Sequence, residues 1–123
     1  MNAVNEKPFA GRDGVFGNAA QSEELRLILE REVDGVTVHS EGPYGAIGKL
    51  VARVLSIFNS CGVEYVEEDL DYGCRIYFRR YFEDESEHVF GKVVIRAKQT
   101  GRAEAQVVWL KRLPGWVSQE FFV

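Results

Sequence analysis

Apolar residues recur at three- and four-residue steps through residues 43–60. Ile47, Leu50, Val51, Val54, Leu55 and Phe58 share one side, while Gly48, Lys49, Arg53, Ser56 and Asn59 fill the other. That spacing predicts an amphipathic helix with an apolar stripe to bury, and Gly62 supplies its stop. An earlier helix is expected over residues 22–34. Ser22 suits the N-cap, Glu23 and Glu24 suit the first turn, and Leu25, Ile28, Leu29 and Val33 fall on one face before Gly35. Val36–Val38 reads as a short extended link.

Beyond Gly62 the period changes to two. Val63–Leu70 is a predicted strand, and Asp71–Gly73 a turn in which glycine tolerates positive φ. Cys74–Phe82 is a second strand, with Cys74, Ile76 and Phe78 facing one way and Arg75, Tyr77 and Arg79 the other. An acidic loop, Glu83–Glu87, leads to a third strand at Val89–Lys98. A hairpin turn over Gln99–Arg102 then gives a fourth strand, Ala103–Arg112. Pro114-Gly115 breaks that strand, and Trp116–Val123 begins a last helix. The expected fold class is α+β: a four-stranded antiparallel sheet with helices packed on one face and the other face open. Residues 1–21 read as a polar tail and 22–123 as a single domain, in which 22–34 is an accessory helix beside a core at 36–120.

At 123 residues the chain suits one domain with its own core. A hydrophobic content of 46% and a charged content of 28% are ordinary for a globular protein. No apolar run approaches the ~20 residues that span a bilayer. The first residues lack a basic start and an apolar signal core, and residue 2 is Asn, so the expectation is a cytoplasmic protein with Cys61 and Cys74 reduced. The net charge of −4 conceals a gradient: residues 89–123 carry six Lys/Arg against two Asp/Glu, a local +4. An acidic chain does not condense on polyanions indiscriminately. Its last third still offers a concentrated basic segment.

Catalytic chemistry is harder to find. Gly42–Lys49 superficially suggests a phosphate-binding loop, but the spacing places Pro43 and Leu50 where Gly and Ser or Thr belong, so a loop entering a helix is the better reading. Glu67, Glu68, Asp69 and Asp71 cluster beside a turn, yet alternate along a strand and match no calcium loop. His39 and His88 lack ligand-type spacing with the cysteines, and no serine sits in a nucleophile elbow. The expectation is a non-catalytic module with no metal and no cofactor.

Ser40–Ser60, Gly62–Tyr65 and Val107–Trp116 together carry a resemblance. The apolar-x-aromatic-basic-basic-x-x-Gly ending appears as Val107, Trp109, Lys111, Arg112 and Gly115, with Leu110 inserted before the basic pair. Over residues 36–120 the chain resembles the kinase-associated-1 domain, which closes microtubule-affinity-regulating kinases and their relatives. It departs from that family in its short final helix and in the added helix at 22–34. The resemblance implies a regulatory or targeting module that binds anionic phospholipid peripherally or docks, in an autoinhibitory way, on a kinase domain, and that is placed peripherally at the membrane or the cytoskeleton.

The residues that could meet an anionic ligand are Lys49 and Arg53 on the helix, Arg75 and Arg79 on the second strand, and Lys92, Arg96 and Lys98 at even spacings, hence on one face, of the third. Lys111 and Arg112 complete the set. A competing reading is a protein–protein interaction or assembly domain whose open sheet face engages a partner through Tyr77, Trp109, Arg75 and Arg79, with the apolar ending Phe121, Phe122 and Val123 contributing. A nucleic-acid platform is disfavoured by net charge and by the lack of an RNP-type motif.

Overall fold

The period-two segments from Glu64 to Leu110 form an antiparallel meander, and a fifth strand joins it at one edge. The computed structural model describes residues 18–42, 44–83, 88–99 and 101–122. Its helices are α1 (Asn18–Glu32), α2 (Gly45–Cys61) and α3 (Gly115–Phe122). Its strands are β1 (Thr37–His39), β2 (Glu64–Leu70), β3 (Gly73–Arg80), β4 (Val89–Gln99) and β5 (Arg102–Leu110). The protein is α+β, with one five-stranded antiparallel sheet in the order β1-β5-β4-β3-β2. The expected tail lies outside the described residues up to residue 17, as do residues 84–87 of the acidic loop.

The expected count of four strands is corrected by the 36–38 link. Thr37, Val38 and His39 pair with Glu104, Ala103 and Arg102. The pairing extends backwards through Gly35 N–H to the Ala105 carbonyl at 2.9 Å and Ala105 N–H to the Val36 carbonyl at 3.0 Å. It ends where the Asp34 carboxylate accepts the Val107 N–H at 2.9 Å. Three residues carry too little alternation to announce a strand. What makes them one is the row of donors and acceptors along β5 that would otherwise lack partners.

α2 buries its stripe as its sequence predicts. Leu50, Val54 and Phe58 are fully enclosed, and Gly62 ends the helix at φ 66, donating its N–H to Phe58. α1 begins earlier than expected, so Ser22 lies inside the helix, buried, and is not its cap. Leu25, Leu29 and Val33 join the α2 stripe over Cys74, Ile76, Phe78, Val93, Ile95, Ala103 and Ala105. Fully burying each such aliphatic side chain contributes about 1.5–3 kcal/mol, which makes this the principal core.

The turn between β2 and β3 differs from expectation in one detail. Tyr72 takes the positive φ, at 63°, and Gly73 does not. Gly73 is needed for a different reason: a Cβ there would collide with the Ile95 carbonyl oxygen of the neighbouring strand.

α3 corrects the expectation that all helices share one face. Val117 is fully enclosed and packs with Leu113 against Tyr77, with Phe90, Leu110 and Phe121 around them. Tyr77, Phe90 and Leu110 point away from the principal core, so α3 lies on the sheet face that α1 and α2 leave. It covers only part of that face.

Candidate functional site

Strand register decides which charged side chains meet. Tyr77 pairs with Val66 on one side and Lys92 on the other, and Lys92 pairs with Val108. Because side chains directly opposite in a sheet share a face, the side of Tyr77 also carries Glu64 and Glu68 on β2, and Arg75 and Arg79 on β3. β4 adds Phe90, Val94 and Arg96, β5 adds Glu104, Gln106 and Leu110, and β1 adds Thr37 and His39.

This face divides in two. At one end α3 seals Tyr77, Phe90 and Leu110. Arg79 is drawn into the seal: it is 4% exposed, its Nε lies 2.5 Å from Glu64 Oε1, and its guanidinium sits 4.6 Å from the Phe121 ring centroid and 4.9 Å from that of Tyr81. The other half stays open and holds Arg75, Lys92, Arg96, Lys98 and Arg102, with Glu68 and Glu104 as its carboxylates. Among the described residues five cations stand against two anions there, a local excess of +3 in a chain whose net charge is −4.

Each of these groups has a local setting. Arg75 Nη1 donates to Glu68 Oε1 at 2.7 Å, and this hydrogen bond, opposed by desolvation, raises the arginine pKa above its ordinary value. Lys98 Nζ lies 3.1 Å from Glu104 Oε1, and Arg96 pairs in register with that same Glu104. Lys92 reaches over the Tyr77 ring, with Nζ 5.9 Å from its centroid. Arg102 Nη2 approaches His39 Nε2 at 3.2 Å. The ion pairs are partly exposed, so each is worth ~0–1 kcal/mol and opens readily to another anion.

The remaining candidate residues are not brought to this face. Lys49 and Arg53 belong to α2, across the sheet. Lys49 Nζ donates to the His39 carbonyl at 2.9 Å, and Arg53 Nη1 donates to the Glu32 carbonyl at 3.1 Å and lies 3.7 Å from the Glu32 carboxylate. Lys111 and Arg112 are exposed in the β5–α3 connection. Tyr77 is buried under α3, and Trp109 points to the opposite face, half-buried beneath the Arg26 guanidinium at 5.0 Å. Phe121 is half-buried over Arg79, and the Phe122 side chain and Val123 lie outside the described residues. Sequence reasoning misses Arg102 and His39 here, because it reads Arg102 as part of a turn and weighs His39, just past the 36–38 link, only as a metal ligand. Only the β1–β5 register places them on this face.

Other chemistry is sparse. The clustered carboxylates divide, Glu68 lying on the Arg75 side and Glu67 and Asp69 on the reverse. Among the described residues no group of three or more His, Cys, Asp or Glu could hold a metal ion. Burial, aided by Glu24, raises the Cys61 pKa; burial, with Glu67 and Asp69, pushes the Cys74 pKa up to about 11. Neither thiol is activated as a nucleophile. A shallow recess of about 570 Å³ is lined by His39, Ser40, Glu41 and Lys49, and the Lys49 ammonium there is already hydrogen-bonded to backbone. Among the described residues no helix is long and apolar enough to cross a membrane. No protein-family model, curated protein or solved structure matches this chain.

Proposed function

We propose that this chain is a non-catalytic targeting module that docks on an anionic phospholipid surface through the open half of the second sheet face. The observation that carries this reading is the register that gathers Arg75, Lys92, Arg96, Lys98 and Arg102 beside α3, with Glu68 and Glu104 alone to offset them among the described residues. A cation near an anionic bilayer contributes about 1 kcal/mol. A net excess of three therefore supports weak, reversible, salt-sensitive attachment. The resemblance to the kinase-associated-1 domain points in the same direction.

Docking on a protein, such as a kinase domain, would use the same face. It is disfavoured because stable protein interfaces need an apolar centre. The apolar end of this face, Tyr77, Phe90 and Leu110, is already occupied by α3. What remains is mainly charge, and charge matches a headgroup layer better than a partner's core.

Sedimentation with liposomes tests this, comparing neutral with phosphatidylserine-rich vesicles at low and moderate salt. The chain should pellet with anionic vesicles only, and less as salt rises. A Lys92/Arg96/Lys98→Glu variant, reversing three exposed or half-exposed charges, should remain in the supernatant while keeping its circular dichroism. No pelleting of the parent chain with anionic vesicles at low salt would sink the reading.

A further inference from the structure

Trp116 is 45% exposed at the start of α3, an unusual position for the largest apolar side chain. Its ring meets Tyr77 edge to face, with centroids 5.4 Å apart, and the same Tyr77 ring receives the Lys92 ammonium on the open side. Trp116 therefore stands at the boundary between the sealed and basic halves of one face. The exposed Lys111 and Arg112 precede it in the same β5–α3 connection. Val117, fully enclosed beside it, fixes the helix to the sheet, so the indole is presented by an anchored element. The chain's other tryptophan, Trp109, faces the opposite side.

We infer that Trp116 is a membrane-interface anchor, inserting its indole among the lipid headgroups and upper acyl chains while the neighbouring cations hold the anionic surface. This inference rests on the proposed docking of the basic face and specifies how that docking is made. Indole rings favour this depth because an apolar body enters the hydrocarbon edge while the ring N–H stays hydrated. Cations alone cannot resist salt. A partly buried aromatic supplies the component that salt does not screen.

Trp109→Phe leaves Trp116 as the sole indole emitter in the full chain. With phosphatidylserine-rich vesicles, its emission should shift to the blue and be quenched by lipids brominated high on the acyl chain. Trp116→Ala should lower partitioning about tenfold, since roughly half an aromatic side chain's transfer free energy is removed, and the residual binding should vanish at moderate salt. Trp116→Phe, which keeps an aromatic ring both against Tyr77 and for the bilayer edge, should recover most of the loss. Pelleting without blue shift or quenching would overturn the insertion and leave electrostatic docking intact. Failure of the parent chain to pellet would overturn both.

Discussion

Phe78 and Trp109 meet edge to face, with ring centroids 5.8 Å apart, although a whole strand separates them. The residue between them is Gly91, paired in register with Phe78 on one side and Trp109 on the other. A Cβ on Gly91 would lie 2.5 Å from Phe78 Cζ and 2.9 Å from the Val108 carbonyl oxygen. The glycine leaves the gap that the two rings fill.

Gly91→Ala should therefore destabilise the fold, although alanine is better suited to a strand than glycine. Forcing a methyl group into filled space costs about 1–3 kcal/mol. Urea denaturation should show the midpoint falling with an unchanged slope. An increase in stability would mean that the rings move aside freely.

The same strand shows which features the sequence could announce. The α2 stripe was legible because Leu50, Val54 and Phe58 repeat at helical spacing whatever they pack against. Lys92, Arg96 and Lys98 were legible as a row for the same local reason. The faces could not be read so far, since Tyr77, Phe90 and Leu110 are scattered among Arg75, Lys92 and Gln106 and resemble a solvated side with stray aromatics. Only register gathers the apolar three at one end, where α3 covers them. Arg79 and Arg75 share a strand face and a spacing, yet one is sealed beneath Phe121 and the other stays half-exposed. No local pattern distinguishes them. β1 was invisible because its cause lies in β5.

Arg79 and Glu64 form an unequal pair, with side chains 5% and 58% exposed. Removing the exposed partner leaves a buried guanidinium with less compensation. Removing the buried one leaves a carboxylate that water can solvate. Glu64→Ala should therefore cost about 2 kcal/mol, and Arg79→Met, which preserves packing against Phe121 and Tyr81, about 1 kcal/mol or less. Thermal and urea unfolding of both variants measures the order. A greater loss in Arg79→Met would assign the aromatic cation contacts the larger share.

Cys74 makes stability depend on alkaline pH. Its folded-state pKa is raised from 9.0 to about 11, chiefly by burial and then by Glu67 and Asp69. Between these values the unfolded thiol ionises while the folded one retains its proton. The unfolded state then binds fewer protons, and stability falls as pH rises. The stabilising difference is fully present below pH 9 and is lost towards pH 11, by up to about 2 kcal/mol. Cys74→Ala should flatten that slope in urea titrations between pH 8 and 10.5. An unchanged slope would assign the loss to other groups.

Glu104 gives the proposed membrane face a prediction of opposite sign. Its carboxylate holds Lys98 at 3.1 Å and stands opposite Arg96, so it offsets charge where a bilayer would approach. Glu104→Gln should cost little in folding, because an exposed ion pair contributes ~0–1 kcal/mol. It should also release one net positive charge to the surface, worth about 1 kcal/mol beside anionic lipid. Partitioning into phosphatidylserine-rich vesicles should then rise about fivefold at low salt, with the gain shrinking as salt is added. A protein whose basic row merely solvates the sheet would gain nothing. A loss of binding in Glu104→Gln would mean that Lys98 must be held by its carboxylate to face the bilayer at all.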